Sequence, residues 1–136
     1  MPIDLKLTLV DGRVWFLSSD LEPDSSAERL GACMLVSERD VPLSAAQVVA
    51  EWVIAKDCLA ISVVAPNAHP IHDLLDAILE DREAYGVVTT AESDPHELEN
   101  TIAMVSANLS DAKNVFVHTD VPQSVEAGLR ALGLLA

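Results

Sequence analysis

The start of the chain alternates apolar and polar residues. Every second residue from Ile3 to Leu9 is apolar and those between are polar, which is the period of a half-buried strand. Asp11-Gly12 follows, and then a run at 13–17 rich in residues that favour strands. Asp-Gly is typical of a two-residue hairpin turn with positive φ at both central residues. The pattern predicts a β-hairpin over residues 3–18.

From residue 32 onward, one unit occurs four times: a short apolar run, a polar turn and an amphipathic helix. The apolar runs are 32–36, 59–65, 86–90 and 115–118. Strands without polar alternation are covered on both faces, and strands that alternate with helices form parallel sheets. We expect one α/β domain over residues 1–136. It is a three-layer sandwich with a mostly parallel sheet of four βα units (32–136) and the antiparallel hairpin at one edge.

Capping signals predict where two of the helices begin. Ser44 and Gln47 have the spacing of a capping box, which predicts a helix from Ser44 to about residue 55. A second helix is expected over about 70–82. Asp94 is followed by a proline suited to the first helical position, so Asp94 is the predicted cap of the third helix.

Composition narrows the function. The chain has 136 residues, with 8 Lys and Arg against 22 Asp and Glu, so its net charge is −14 with neutral histidine. Half of the residues are apolar, which is typical of a folded chain. Such acidity repels nucleic acid and anionic lipid, and no apolar run approaches the ~20 residues of a membrane span. We expect a cytoplasmic protein without nucleic-acid or membrane partners, with Cys33 and Cys58 as buried, reduced thiols.

Polar residues gather where the last three predicted strands end. In an open parallel sheet, ligands bind beyond the carboxyl ends of the strands. Imidazoles and carboxylates there are suited to binding a divalent metal or to acid–base chemistry. All four histidines, His69, His72, His96 and His118, lie in these segments. The candidate ligand or metal site consists of His69, His72, Asp73, His118 and Asp120.

Several enzyme motifs are missing from the sequence. Only five glycines occur, and none forms a phosphate-binding GxGxxG or GxxxxGK[ST] motif. There is no GxSxG, and neither cysteine lies on a loop beside a histidine. We therefore expect no cofactor, with a divalent metal as the alternative.

A second candidate region is an interaction surface. Four acidic residues recur at intervals of three or four in the second long helix, which places them on one face. Trp15 and Phe16 are adjacent in a strand and point to opposite faces, so one ring is expected to form an apolar surface spot that a homodimer would cover. The predicted surface comprises Asp73, Asp76, Glu80, Glu83 and Trp15.

Two classes of function remain open at this point. The first is a non-catalytic regulatory or adaptor-type domain that binds a protein partner, which the missing motifs and the acidic face favour. The alternative is a small-molecule or metal-dependent enzyme with its site at the carboxyl ends of the parallel strands.

Overall fold

The computed structural model describes residues 5–19, 31–108 and 114–136. Residues 3–4, where the predicted hairpin begins, lie outside these ranges. The strands are β1 (Leu5–Thr8), β2 (Val14–Ser18), β3 (Ala32–Val36), β4 (Ala60–Val64), β5 (Val88–Glu92) and β6 (Asn114–Thr119). The helices are α1 (Leu43–Ala55), α2 (Ala68–Asp81), α3 (Leu98–Asn108) and α4 (Pro122–Ala131), with a 3₁₀ turn at Pro95–Glu97 before α3.

The six strands form one sheet in the order β1-β2-β6-β3-β4-β5. β2, β6, β3, β4 and β5, in this order across the sheet, pair in parallel with their neighbours. β1 pairs antiparallel with β2. The predicted α/β fold, with a mostly parallel sheet and the antiparallel hairpin at one edge, is therefore confirmed.

Helices cover both faces of the sheet. Every residue of β3 and of β4 is buried, so each strand sends alternate side chains into two cores. Cys33 and Leu35 of β3 pack with α1 and α2, whereas Ala32, Met34 and Val36 pack with α3 and α4. The continuous apolar runs in the sequence therefore reflect burial on both faces.

The hairpin turn differs from the predicted one. Gly12 has a φ of +90°, but Asp11 is not among the non-glycine residues with positive φ. The Leu9 N–H donates to the Arg13 carbonyl at 2.8 Å and the Gly12 N–H donates to the Leu9 carbonyl at 3.0 Å. The connection is thus a three-residue loop with a left-handed glycine in its last position. Asp11 instead accepts the Arg13 N–H through its side chain, at 3.0 Å, which holds it in an ordinary conformation.

Of the two predicted caps, one is present. Asp94 accepts the backbone N–H of His96 at 2.9 Å, and this hydrogen bond, followed by that from the His96 ring, lowers the pKa of the Asp94 carboxyl. The cap begins the 3₁₀ turn that leads into α3. Ser44 is not a cap, because α1 begins at Leu43 after Pro42 and forms no side-chain cap hydrogen bond. Proline supplies the extended backbone needed at that position.

Two helices end in a left-handed residue that is not glycine. Asp57 after α1 has a φ of 60° and Glu83 after α2 has a φ of 57°. In α2, the Glu83 N–H donates to the Glu80 carbonyl and the Ala84 N–H donates to the Leu79 carbonyl, which is a Schellman motif. Glu83 therefore lies beyond the helix rather than on its face. No helix within the described ranges has the length and apolar character needed to cross a bilayer.

Candidate functional site

A cleft lies where the order of the strands reverses. After β3 the chain adds β4 and β5 on one side, whereas β6 pairs with the other side of β3. The connections after β3 and β6 leave the sheet in different directions. Open α/β sheets bind ligands in the crevice between two such connections. A cleft of about 230 Å³ opens there, lined by Leu35, Val41, Asp40, Ser37, His118 and Asp120 among others.

Hydrogen bonds hold the rim of this cleft. The Ser37 hydroxyl donates to one Asp120 carboxylate oxygen at 3.1 Å, and the Glu38 N–H donates to the other at 3.2 Å. The Arg39 N–H donates to the Ser37 hydroxyl oxygen at 3.0 Å. Asp120 therefore fastens the loop after β3 to the end of β6.

His118 lies in the same cleft. It is half-buried, pairs in register with Leu35 of β3 and follows Phe116, whose ring packs in the α1/α2 core. Alternation along β6 places His118 on that same face. The structure thus brings His118 and Asp120, two of the candidate residues, into one cleft.

His72 lies elsewhere, between α2 and the edge strand β5. Its Nε2 is 3.0 Å from the Thr89 hydroxyl. Its Nδ1 is 3.5 Å from a carboxylate oxygen of Asp73 and 3.5 Å from one of Asp76. The Thr89 hydroxyl also donates to Asp76 at 2.5 Å. We name these four residues the His72 cluster.

The cluster has the residue types of a hydroxyl–imidazole–carboxylate triad. Its hydroxyl proton, however, is directed to a carboxylate and not to the imidazole. Thr89 has one proton and gives it to Asp76. The contact with His72 therefore requires Nε2–H to donate to the Thr89 oxygen, so the imidazole is not a base for this hydroxyl. The cluster joins α2 to β5 and does not activate a nucleophile.

The remaining histidines lie on the surface. His69 is exposed in the first turn of α2. The His96 side chain is 91% exposed, with its Nδ1 3.0 Å from Asp94. The strands beside His72 and His118 are β5 and β6, three strand spacings apart, which is about 14 Å.

The five candidate ligand residues therefore lie at three separate places in the structure. His118 and Asp120 share the cleft, His72 and Asp73 lie in the His72 cluster, and His69 is separate. Within the described part of the chain, no three His, Cys, Asp or Glu side chains are placed to hold a metal ion. The divalent-metal alternative stays a prediction.

The acidic face of α2 begins beside the edge of the sheet. Asp76 contacts Thr89 of β5. At ~100° per residue, Glu80 lies about 40° and Asp73 about 60° further round the helix from Asp76, on the side away from the buried Leu75. All three side chains are exposed. They form the acidic border of β5, a name we keep for Asp73, Asp76 and Glu80; Glu83 follows beyond the end of the helix.

The open edge of β5 is a feature that the sequence analysis missed. The Val88 N–H donates to Leu59 and the Glu92 carbonyl accepts from Ala65, so these residues face β4. By alternation, the backbone groups of Thr89 and Ala91 point away from the sheet. Among the described residues, none forms a backbone hydrogen bond with these outward groups. Only knowledge of the strand order could have identified β5 as an edge.

The opposite edge of the sheet is protected. The Val10 N–H donates to the Leu134 carbonyl at 2.8 Å, and the Ala136 N–H donates to the Thr8 carbonyl at 3.1 Å. β1 also carries Lys6, a residue type that discourages edge pairing. β5 has the sequence VTTAE, without lysine or proline.

Exposed apolar side chains lie at the amino end of β5. Val88 is 60% exposed, Tyr85 is 75% exposed and Leu59 is 47% exposed. Val88 donates its N–H to the Leu59 carbonyl, and Tyr85 lies three residues before Val88. We call these three residues the apolar patch.

Trp15 is not on the surface, contrary to the sequence prediction. It is 0% exposed and packs in the α3/α4 core. Phe16 is half-buried and packs against the α1/α2 core. The reason is that β2 lies between β1 and β6, with core on both faces. Homodimerisation stays a prediction. Neither Trp15 nor Phe16, however, is the exposed aromatic ring from which it was inferred.

The burial of Trp15 leads to a stability prediction. Its indole Nε1–H is buried and has no hydrogen-bond partner among the residues that the structure describes, and an unsatisfied buried donor costs about 1–3 kcal/mol. Trp15→Phe removes this donor together with some apolar contact. We expect the free energy of unfolding in urea to stay within about 1 kcal/mol of the wild type. A loss well above that would contradict an unsatisfied N–H at this position.

Neither cysteine is a candidate nucleophile. Cys33 and Cys58 are both buried and form no disulfide, as predicted. Burial raises the pKa of the Cys33 thiol far above its usual range. Burial, followed by the negative charge of Asp57, raises the pKa of Cys58 to about 12. Both thiols therefore stay protonated and unreactive at neutral pH.

The fold and the site define a class by architecture: an α/β sandwich with a cleft at the strand reversal and one open sheet edge. Comparison with protein-family models, with curated proteins and with solved structures gave no match.

Proposed function

We propose that this chain is a non-catalytic, adaptor-type domain that binds a partner protein through the open edge of β5. The observation that supports the proposal is the outward backbone of Thr89 and Ala91, with which no residue of the described ranges pairs. An unprotected edge is a template for a strand from another chain. The contrast with the covered β1 edge makes β5 the favoured side for such pairing.

Flanking groups add to this preference. The acidic border lies on one side of β5 and the apolar patch lies at its amino end. Backbone hydrogen bonds supply affinity in strand addition, and neighbouring side chains supply specificity. The β5 edge has outward backbone groups and distinctive neighbouring side chains within one surface.

The test uses a variant that blocks the edge without breaking the sheet. In Ala91→Pro, the lost N–H is one that points away from β4, so pairing with β4 is kept. Ala91→Val keeps the N–H and serves as the matched control. Peptides selected from a random display library on the wild-type protein are expected to bind Ala91→Val equally. They should bind Ala91→Pro at least roughly ten-fold more weakly, because strand hydrogen bonds are lost.

Circular dichroism checks that Ala91→Pro remains folded. Selected peptides that bind both variants with the same affinity, or a library from which no peptide is enriched, would show that this edge is not a protein-binding surface.

A second candidate function is supported by the cleft. His118 and Asp120 line a concave site at the reversal of strand order, where α/β proteins bind small molecules. A small-molecule enzyme with its site there is the alternative proposal. We rank it second because Ser37 and Glu38 already occupy the Asp120 carboxylate with hydrogen bonds.

A further inference from the structure

We propose that the occupant of the β5 edge is an extended segment of a partner protein in which arginine or lysine alternates with apolar residues. The segment adds to the sheet as a further strand. This inference rests on the proposed function and specifies the partner's chemistry. It follows from the different character of the two faces that meet at β5.

The face towards α2 is acidic. Thr89 and Ala91 direct their side chains to this face, as the Thr89 contact with Asp76 and the packing of Ala91 in the α1/α2 core show. In an added strand, the residues opposite these two point to the same face. They would therefore lie beside the acidic border, whose side chains Asp73 and Asp76 are 83% and 49% exposed. Basic side chains are complementary to that charge.

The other face is apolar at its amino end. Val88 and Thr90 direct their side chains away from α2, since they alternate with Thr89. Thr90 donates its hydroxyl proton to Ser62 at 2.8 Å, so its polar group is satisfied. Val88 stays 60% exposed. The intervening residues of an added strand would cover Val88, which favours apolar side chains there.

A second copy of this chain fits the edge less well. Two-fold pairing of β5 with itself would bring two acidic borders together, one from each copy. Each copy also has a net charge of −14, and like charges at an interface oppose association. β5 contains Glu92 and no basic residue. The charges therefore favour a basic partner strand over self-pairing.

The experiment measures binding of two labelled peptides by fluorescence anisotropy. In one peptide arginine alternates with valine over about ten residues. In the other, each arginine is replaced by citrulline, which keeps the shape and removes the charge. The proteins are the wild type, Ala91→Pro, Ala91→Val and the double variant Asp73→Asn/Glu80→Gln. Each pair is measured at low and at moderate salt, and light scattering of each protein alone gives its oligomeric state.

We expect the arginine peptide to bind the wild type and Ala91→Val equally. Binding to Ala91→Pro should be roughly ten-fold weaker because strand hydrogen bonds are lost. Binding to Asp73→Asn/Glu80→Gln should be roughly five-fold weaker, as for the loss of two exposed ion pairs. The citrulline peptide should bind more weakly than the arginine peptide, and salt should reduce the difference.

The outcomes separate this inference from the proposed function. If both peptides bind the wild type equally and Ala91→Pro weakens both, or if edge-binding library peptides carry no basic residues, the charge inference is overturned and edge binding stands. If the arginine peptide binds the wild type and Ala91→Pro equally, the attraction does not use the edge and both proposals fail. A wild-type dimer that becomes monomeric in Ala91→Pro would assign the edge to a second copy and overturn the inference.

Discussion

Gly128→Val is expected to lower the free energy of unfolding by about 1–3 kcal/mol, because a side chain at this position of α4 meets a buried side chain of α3. A Cβ atom at Gly128 would lie 2.7 Å from Cδ1 of Ile102. Ile102 is 0% exposed, so its terminal methyl cannot move into solvent. Valine adds further methyl groups to the same contact. Urea unfolding followed by tryptophan fluorescence measures the loss.

A double-mutant cycle identifies the contact responsible. Gly128→Ala gains helix propensity of up to about 1 kcal/mol, which opposes the crowding. Ile102→Val removes Cδ1 and alone costs about 0.5–1.5 kcal/mol. In Gly128→Ala/Ile102→Val, the new Cβ occupies the space of the lost methyl. The double variant should therefore be more stable than the sum of the single effects predicts, by about 1 kcal/mol. Additive losses would mean that the glycine is required for another reason.

Asn67→Ala is expected to lower the free energy of unfolding by about 2–4 kcal/mol, because one side chain satisfies both backbone groups of a buried residue. The Asn67 side-chain oxygen accepts the Val41 N–H at 2.8 Å, and its amide nitrogen donates to the Val41 carbonyl at 2.9 Å. Val41 is 5% exposed. Alanine leaves both groups without this partner. A loss below about 1 kcal/mol would mean that water replaces the amide.

Asn67→Asp tests the two hydrogen bonds separately. At neutral pH the carboxylate still accepts the Val41 N–H but places an oxygen against the Val41 carbonyl. We expect it to be less stable than the wild type, by at least half of the alanine effect. Protonation restores a donor, so the folded state favours the protonated form. The deficit relative to wild type should therefore shrink as pH falls from neutral towards about 4, the ordinary carboxyl pKa of the unfolded chain, and stay at its smallest value below that pH. A deficit that does not change with pH would contradict the second hydrogen bond.

Strands and helices could be predicted where one residue pattern has one interpretation. β3 lies at the predicted residues, 32–36, because a continuous apolar run is buried on both faces. β5 begins two residues later than predicted, at Val88, because Gly86 belongs to the turn after α2. The predicted length of the hairpin loop is wrong because Asp-Gly suits both a two-residue and a three-residue connection.

The candidate sites depended on strand order, which the pattern does not contain. His72 follows the apolar strand β4 in the sequence and His118 lies near the end of the apolar strand β6, but β5, beside which His72 lies, is separated from β6 by β3 and β4. The same order buries Trp15 by placing β2 between β1 and β6, and it leaves β5 at the edge. Which strand is an edge follows only from long-range pairing. The acidic positions Asp73, Asp76 and Glu80, by contrast, follow from helical periodicity within one segment.

Cys33 and Cys58 give this domain an internal probe of its own motions. They lie in adjacent parts of the α1/α2 core and are 1% and 4% exposed. Since the folded state protects both thiols, an alkylating reagent can modify them only in molecules whose core has opened. The modification rate would then report the frequency of that opening, without any label attached to the β5 edge.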